Sequence, residues 1–575
     1  MACISPYGKK IWTNIQDIDI VRLRTNIFKP NPLLLVPISI GGMLGLAFPY
    51  PGIAGLGWLM PGILILSSLY WKSITQYLGF FVSSNISSFK YTWLAGFSFW
   101  LISLRWLLYI PFPMGAILGW ISLSAYLGIY IGIWGYLTCK LSMKLPLWKL
   151  SITSAAIWVI LEWIRGHFLG GFAWNMLAVS QHDNLVLTQF ASIAGEYGIS
   201  FVMIAFSISW CMGVCNLILF LKKKYICNII ESKCFIHIPT ILFLKEGFFW
   251  LFILAIIVSY GAYKLTHQQK IAEKTYSVCL IQPSIPQTLI WDKKENQKRF
   301  EKLIETSEKI IATNTVDLLV WPEAAIPGYI RYDLDISNRV SNLSQAKKVP
   351  IIFCSDDAEP NEFDEGEINY FNCAFLMDSN GELLERYKKQ HLVIFGEYIP
   401  LLKYLPFLKW LTPISGNYEI GNEYTTFAWP SHDSQISPLI CFEDSFPDEV
   451  RLHTKKRPCA LIYLANAGWF GESSAQWQHL ANARFRNIEN GIPGIRCCNN
   501  GITCWIDKYG NVHDIFLDNS SSVYGSGGYI VHIPIQSSQC QTFYQTYHSY
   551  FIYCYCLLIL WGCSGYYIRK SKNHL

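Results

Sequence analysis

The sequence predicts a membrane domain of eight apolar helices combined with an α/β layered domain that precedes the last helix. The first observation is composition: of 575 residues, 52% are hydrophobic and only 15% are charged, which is too apolar for an ordinary soluble chain of this length. The second is that apolar segments long enough to cross a bilayer fill residues 32–264 and return at 547–568. The third is that residues 265–546 alternate short apolar runs with helix-like stretches.

The membrane spans are predicted where about 20 mostly apolar residues follow one another. Residues 32–71 contain no charged side chain and are interrupted by the turn-forming FPYPG at 48–52, so they predict two spans joined by a tight turn. The remaining predicted spans are Tyr91–Ile110, Met114–Cys139, Leu150–Trp163, Gly198–Leu221, Gly247–Tyr263 and Tyr547–Ile568.

Basic residues predict the orientation of these spans, because Lys and Arg concentrate in loops that stay in the cytoplasm. They fall in the tail 1–31, in the loops 72–90 and 140–149, in the cluster 222–224 and in the tail 569–575. When the chain crosses the membrane eight times, at the predicted spans, all of these basic segments fall on the same side. We therefore expect the segments 48–52, 110–115, 166–197 and 265–546 to lie on the opposite face, which is the periplasmic face of a bacterial inner membrane.

Charge and cysteine usage exclude several other classes. The net charge of +6 is modest and predicts no nucleic-acid partner. Eighteen cysteines without regular Cys-x-x-Cys spacing argue against a zinc ribbon, an iron–sulfur cluster and a disulfide framework. Because no His, Cys or Asp cluster has metal-ligand spacing, we expect no metal and no cofactor.

Residues 265–546 predict an α/β layered domain. A helix is predicted at 292–313, and the pair Asn380-Gly381 predicts a hairpin turn. The acidic stretch at 355–367 predicts a solvated loop. The predicted strands include 277–283 (SVCLIQP), 316–323 (VDLLVWPE), 349–356 (VPIIFCSD), 372–383 (NCAFLMDSNGEL) and 459–467 (CALIYLANA).

Three stretches of this domain carry residues that suit catalysis through a thioester intermediate. Glu323 ends the apolar run LLVWPE, Lys389 lies in RYKKQHLVIFGE, and Cys441 follows the short run that ends at Ile440. A carboxylate, an ammonium and a thiol at three strand ends suit acyl transfer, in which Glu323 deprotonates Cys441 and Lys389 offsets the developing oxyanion. The spacing of eight residues to Glu397 favours Lys389 over Lys388, which we assign to solvent.

Each of these residues also has a structural interpretation. A strand cysteine is usually buried and inert, as we expect for Cys459, Cys497, Cys498 and Cys504. Taken alone, Glu323 fits equally well as an acid at a helix start. The combination of the three stretches makes the catalytic interpretation of Cys441 the better one.

The glutamate, lysine and cysteine in these contexts resemble the nitrilase superfamily, and with eight flanking spans the chain resembles the apolipoprotein N-acyltransferases. Shared features include GGFAWN at 170–175, NAGWFG at 466–471, QHL at 478–480 and CNNGIT at 498–503. Departures occur at Ile394, Phe442 and Ala467, where the family more often has proline, tyrosine and aspartate.

The resemblance implies a nitrilase-like αββα sandwich at 265–546, seven membrane helices within 32–264 and an eighth at 547–568. It implies that Glu323 is the general base, Lys389 the oxyanion-stabilising cation and Cys441 the nucleophile. Glu397, Glu443 and the backbone N–H of Phe442 are implied as supporting groups. Trp469, Phe470 and Asn466 are candidate pocket residues, although Trp469 and Phe470 fit core packing equally well.

The implied activity is transfer of an acyl chain from a phospholipid, phosphatidylethanolamine, to the α-amine of a diacylglyceryl-cysteine at the N-terminus of an apolipoprotein. The implied partners are the phospholipid donor, the diacylglyceryl apolipoprotein acceptor and the lipids of the surrounding membrane, with no nucleic acid, and the chain is expected to be a monomer. A membrane-tethered amidase or nitrilase acting on small amides is the alternative enzyme. A multi-span transporter or scaffold is the alternative of another class. The apolar loop at 395–420 is a candidate for contact with the bilayer surface.

Overall fold

The computed structural model describes residues 32–77, 86–229, 244–267, 274–361, 366–412, 417–429, 434–536 and 541–572. The predicted cytoplasmic tail 1–31, the last residues of the tail 569–575 and the side chains of the basic cluster 222–224 lie outside the described residues.

A helix occupies each of the seven positions at which the sequence predicts a membrane span before residue 265. These helices, with the short α6, are α1 (Pro32–Gly45), α2 (Gly55–Tyr77), α3 (Ser88–Ser103), α4 (Pro113–Ser142), α5 (Leu147–His167), α6 (Leu185–Thr188), α7 (Ala191–Ile229) and α8 (Lys245–Thr266).

Length and composition support four membrane-crossing helices among the described residues. These are Pro113–Ser142, Leu147–Gly170, Ala191–Ile218 and Lys245–Thr266, whereas the apolar segments Leu34–Gly45 and Gly55–Tyr70 are shorter. Four of the eight predicted spans are therefore supported, and the total of eight stays a prediction.

Twelve strands in the described part of the chain form two six-stranded sheets, ordered β12-β1-β2-β3-β4-β5 and β11-β10-β9-β8-β7-β6. In the first sheet β1, β2 and β3 are parallel, and in the second β7, β8 and β9 are parallel. The strands are β1 (Lys274–Gln282), β2 (Leu318–Val320), β3 (Ile351–Pro360), β4 (Ile368–Met377), β5 (Leu383–Lys388), β6 (Phe427–Ala428), β7 (Gln435–Ile440), β8 (Ala460–Ala465), β9 (Gly494–Cys498), β10 (Cys504–Ile506), β11 (Val512–His513) and β12 (Gly527–Ile535).

The two sheets pack face to face between helices, in the helix–sheet–sheet–helix order that the resemblance implies. Buried side chains of both sheets, such as Val320 and Ile462, form the core between them. Apolar residues of α10 and α11 cover the first sheet, and those of α12 and α13 cover the second. The helices of this part are α9 (Gln287–Ile290), α10 (Asn296–Ile311), α11 (Leu334–Lys347), α12 (Pro447–His453) and α13 (Ala475–Asn490), and the chain ends with α14 (Phe543–Lys572) at the eighth predicted span.

Helix α13 joins the sheets to the membrane helices. On one face Leu480 and Ala483 pack on the second sheet. On the other face Ala481, Phe485 and Ile488 share an apolar core with α1–α8. Burial on both faces explains why nearly every side chain of this helix is buried.

The predicted hairpin at Asn380-Gly381 is confirmed, because β4 and β5 are antiparallel neighbours. Gly381 adopts a φ of +79° in the connecting turn. This left-handed conformation favours glycine, since a Cβ would clash with the backbone.

The prediction of a solvated loop at 355–367 is wrong for residues 355–360, and residues 362–365 of that stretch lie outside the described residues. Strand β3 continues to Pro360 and pairs with β4 as far as Ile368. The acidic side chains are compensated by cations on neighbouring segments: the fully buried Asp357 accepts from Arg331 Nε at 2.8 Å and also pairs with Arg386. Composition alone does not reveal these partners.

Candidate active site

The three predicted catalytic residues follow strands whose ends lie at one edge of the sandwich. Glu323 follows β2, Lys389 follows β5 directly, and Cys441 follows β7 directly. Glu323 and Lys389 follow strands of the first sheet and Cys441 follows a strand of the second, so the site forms where the two sheets meet at this edge. Cys441 also packs against the core between the sheets.

Cys441 has an unusual backbone conformation. It is the first residue of a 3-10 turn, Cys441–Ser445, and its φ is +54°. A non-glycine residue in the left-handed region costs on the order of 1–3 kcal/mol and persists only where the surroundings fix it. His479 Nε2 lies 3.1 Å from the carbonyl oxygen of Cys441 and 2.7 Å from Asp444 Oδ1 in the same turn.

The thiol of Cys441 is protonated at neutral pH. Burial is the largest influence and raises the pKa of the thiol well above its ordinary value; the Glu323 carboxylate raises the pKa further, while the Lys389 ammonium lowers it. A neutral thiol is a weak nucleophile. Cys441 therefore needs a base at the moment of attack. The Glu323 carboxylate is a candidate, because it lies close enough to influence the pKa of the thiol.

Lys389 is a buried cation between two carboxylates. Its side chain is 1% exposed, and its Nζ donates to Glu397 Oε1 at 2.8 Å and lies 3.6 Å from Glu323 Oε1. Burial alone would lower the pKa of Lys389, but Glu397 and Glu323 more than offset it and raise that pKa. The ammonium form is therefore fixed and available to stabilise a developing negative charge.

Asn372 is part of this cluster, although no motif in the sequence selects it. Its Nδ2 donates to Glu323 Oε1 at 2.9 Å and to Glu397 Oε1 at 3.0 Å. Its backbone carbonyl accepts from Lys389 N at 2.9 Å. The signal that could have found it is an asparagine within the buried strand β4, where a polar amide needs partners.

Glu443 ties the turn of Cys441 to the turn after Lys389. Its Oε1 accepts from the Tyr387 hydroxyl at 2.7 Å and from the N–H groups of Gln390 and His391 at 2.7 and 3.2 Å. Its Oε2 accepts from Ile440 N at 2.7 Å. Burial raises the pKa of Glu443 to about 7, although the Ile440 N–H pulls in the opposite direction. Glu443 thus fixes the spacing between nucleophile and cation.

Phe442 and Phe470 meet aromatic residues of the membrane domain. The ring of Phe442 is stacked on Trp174, with centroids 5.8 Å apart and an interplanar angle of 30°. Phe470 lies edge-on to Trp106, with centroids 4.6 Å apart. Connections of the membrane domain therefore pack against Phe442, the residue after Cys441, and against Phe470.

The other two predicted pocket residues are Trp469 and Asn466. Trp469 lies with Phe470 in the 3-10 turn Gly468–Phe470, and Asn466 lies just before that turn. Trp469 contacts Trp291 with ring centroids 5.2 Å apart. Asn466 is 3% exposed, and its side chain donates to Gln287 and accepts from Asn499 at 3.0 and 2.9 Å. In this arrangement the Asn466 amide holds neighbouring segments together, and its backbone N–H lowers the pKa of the Cys441 thiol.

Lys388 does not simply extend into solvent as predicted. Its Nζ donates to Glu359 Oε2 at 2.5 Å and lies 3.9 Å from the centroid of the Phe371 ring. Consecutive strand residues point to opposite faces, so Lys388 is directed away from Lys389.

Within the described ranges, no group of three His, Cys, Asp or Glu side chains is arranged to hold a metal ion. The described cysteines are all free thiols.

Two family models match this chain. Residues 277–537 match the carbon-nitrogen hydrolase model, and residues 40–209 match the model of the apolipoprotein N-acyltransferase N-terminal domain. The two matches cover the two sheets and most of the helices before them.

Curated relatives match much of the chain. An apolipoprotein N-acyltransferase of Geobacter metallireducens is 31% identical over 500 residues, which is 86% of this chain and 89% of the relative. One of Rickettsia typhi is 32% identical over 363 residues, 62% of this chain and 65% of the relative. Among solved structures, an amidase of the nitrilase superfamily from Nesterenkonia is similar with a TM-score of 0.34 and 17% identity, covering 46% of this chain and 93% of that one.

Proposed function

Because the chain belongs to the apolipoprotein N-acyltransferase family, we propose that it transfers an acyl chain from a membrane phospholipid to the N-terminal α-amine of a diacylglyceryl apolipoprotein. The transfer proceeds through an acyl thioester on Cys441. The observation that carries the proposal is the cluster in which Lys389 lies between Glu323 and Glu397 and acts, together with Glu323, on the thiol of Cys441.

In the first half of the reaction, Cys441 attacks the ester carbonyl of the phospholipid. Glu323 accepts the thiol proton as the carbon–sulfur bond forms. The oxyanion of the tetrahedral intermediate is stabilised by the Lys389 ammonium and by the backbone N–H of Phe442. Collapse of the intermediate breaks the ester bond, and the lysophospholipid leaves as an alcohol with the proton that Glu323 held.

In the second half, the α-amine of the lipoprotein attacks the thioester. Glu323 accepts a proton from the amine, and the same two groups stabilise the second oxyanion. Breaking the carbon–sulfur bond yields the amide, and the proton returns to Cys441. One set of residues serves both halves because both pass through a tetrahedral oxyanion at the same carbon.

The donor is proposed to be phosphatidylethanolamine, and both substrates are anchored in the bilayer. A site built partly by membrane segments fits such substrates, because Phe442, next to the nucleophile, is stacked on Trp174. Exposed apolar side chains at 401–410, including Leu401, Tyr404 and Trp410, fit contact of this loop with the bilayer surface.

The proposed topology has eight spans, with the ends 1–31 and 569–575 in the cytoplasm. The helices within 32–264 and the helix at 547–568 lie in the inner membrane, and 265–546 is the periplasmic catalytic domain of a monomer. One contact set supports this arrangement: Gln478 of α13 bonds to Pro49, Ser103 and Trp174. Pro49 and Trp174 lie in the predicted connections 48–52 and 166–197, and Ser103 lies in the predicted span Tyr91–Ile110 that leads to the connection 110–115. All three connections are predicted to share the face of the catalytic domain.

The test uses the purified full-length protein in phosphatidylethanolamine liposomes with a synthetic diacylglyceryl-cysteine peptide. We expect mass spectrometry to find one added acyl chain on the peptide amine and a matching amount of lysophospholipid. Release of ammonia from short amides, with the peptide unchanged, would instead identify a membrane-tethered amidase.

A further inference from the structure

The side-chain amide of Gln478 joins helix α13 to three separate segments of the membrane domain. Gln478 is 2% exposed. Its Oε1 accepts from Trp106 Nε1 at 3.1 Å, Trp174 Nε1 at 2.8 Å and Asn175 Nδ2 at 3.0 Å, and its Nε2 donates to Pro49 O at 2.8 Å and Ser103 O at 3.2 Å.

These contacts require an amide. A glutamine supplies one acceptor oxygen and two N–H hydrogens, and here all of them are used. A glutamate would keep the acceptor but place a second carboxylate oxygen against two backbone carbonyls. A methionine would fill the space but leave two indole N–H groups without their acceptor, and buried unpaired donors are destabilising.

The two indoles that Gln478 holds reach the surroundings of Cys441. Trp174 is stacked on Phe442, and its ring centroid lies 5.5 Å from that of His479. Trp106 packs on Phe470 with centroids 4.6 Å apart. Gln478 therefore holds Trp174, which packs on the residue after the nucleophile, and Trp106, whose ring centroid lies 5.5 Å from that of Trp174.

The groups that set the ionisation of Cys441 are held independently of Gln478. Glu323 and Lys389 are positioned by Asn372 and Glu397, which lie on other segments of the chain. A change at Gln478 should accordingly disturb the placement of a bulky acyl substrate more than the reactivity of the thiol itself.

We propose that Gln478 is a positioning residue for acyl transfer: by fixing Trp106 and Trp174 it aligns the lipid donor with Cys441. This inference rests on the proposed function. It assigns to the contact between α13 and the membrane segments a role in the acylation step, beyond holding the two parts of the molecule together.

The test compares the full-length protein with Gln478→Met, Gln478→Glu and the control Gln189→Met. Gln189 is also fully buried and also donates across the interface, from its Nε2 to Tyr509 O at 2.8 Å, but it holds neither of the two indoles. Three quantities are measured in phosphatidylethanolamine liposomes: the single-turnover rate of thioester formation, the rate of Cys441 alkylation by iodoacetamide, and the thermal unfolding midpoint. Peptide mass spectrometry assigns the alkylation to Cys441.

We expect Gln478→Met to slow thioester formation about tenfold to a hundredfold, because a small misplacement of reacting groups has effects of this size. Its alkylation rate should stay within about twofold of the parent, as a small reagent does not need the aromatic walls. Gln478→Glu should retain more activity than Gln478→Met, since both indoles keep their acceptor. Gln189→Met should form the thioester at the parent rate.

Thioester formation at the parent rate in Gln478→Met would overturn the proposal. A parallel loss of acylation, alkylation and unfolding midpoint would also overturn it, by showing a structural role alone. If Gln478→Met does not fold, Trp174→Phe decides, because it removes the indole N–H that donates to Gln478 while keeping an aromatic ring, and a parent rate of thioester formation in that variant overturns the proposal. Absence of thioester in the parent itself would instead reject the proposed function and this inference with it.

Discussion

The reactivity of Cys441 depends on two charges of opposite sign. The Glu323 carboxylate raises the pKa of the thiol, and the Lys389 ammonium lowers it. These two influences can be separated by measuring thiol chemistry and acyl transfer in the same variants.

We predict that Glu323→Gln alkylates faster than the parent with iodoacetamide at pH 8, although its acyl transfer is lost. Removing the carboxylate charge lowers the pKa of Cys441, so a larger fraction is thiolate at a given pH. Lys389→Met should do the reverse, because loss of the ammonium raises that pKa and shifts the alkylation profile to higher pH. Peptide mass spectrometry across pH 7–10 measures both profiles. Shifts in the same direction for the two variants would contradict this electrostatic account.

The positions of Glu323, Lys389, Cys441 and Glu397 could be predicted because each follows or interrupts a short apolar run in a recognisable local sequence. Asn372 could not, since its partners depend on strand register: Cys373, the next residue, pairs with Lys388, and this brings Asn372 beside Lys389. Register is a tertiary property that a single sequence does not reveal.

Helix α13 connects the catalytic sheets with the membrane helices through charge as well as through apolar packing. Arg486 lies 2.9 Å from Glu196 Oε2 of α7 and 3.0 Å from Glu489 Oε2 of its own helix. All three side chains are fully or almost fully buried. Removing one member of a buried ion cluster leaves uncompensated charge.

We predict that Arg486→Met destabilises the protein by about 3–5 kcal/mol, because two buried carboxylates lose their shared cation. The matched control is Arg339→Met, which breaks the exposed pair of Arg339 with Glu301 at 2.8 Å. That change should cost about 1 kcal/mol or less. Unfolding of both variants in the same detergent measures the difference, and equal stabilities would argue against the buried cluster as a structural link.

The elements of the sandwich were predictable where one local signal dominates. The strands around 277–283 and 459–467 and the hairpin at 380–381 were found from apolar runs and turn residues. The acidic end of β3 is not predicted as a strand because the negative charge of Asp357 is compensated by two arginines that are far from it in sequence. Arg331 precedes β3, and Arg386 follows it in β5. Similarly, the sequence placed the sixth span at Gly198, whereas α7 begins at Ala191 and contains a break at Gly195, where φ is +67°.

The whole molecule is organised so that Phe442, next to the proposed nucleophile Cys441, packs against Trp174 of the membrane domain. The connections near Pro49, Trp106 and Trp174 all contact α13. The basic residues that predict the opposite face are distributed over the remaining loops and ends. This arrangement predicts the side of the membrane on which each connection lies.

We predict that alkaline phosphatase fused after Lys144 is inactive in a bacterial host, because that loop is expected in the cytoplasm. The same reporter fused after His267 should be active, since the chain is expected to have emerged in the periplasm there. Matched protein levels, measured by immunoblotting, control for expression. The reverse pattern of activities would contradict the proposed orientation.

The most direct test of the central claim is to trap the acyl thioester on Cys441. The full-length protein is incubated without acceptor in liposomes whose phosphatidylethanolamine carries a labelled acyl chain, and is then quenched in acid. We predict label on the peptide that contains Cys441, its release by hydroxylamine, and its transfer to a lipopeptide amine when the acceptor is added before quenching. Cys441→Ala should carry no label. Equal labelling of Cys441→Ala and the parent would show that another group accepts the acyl chain and would contradict the mechanism.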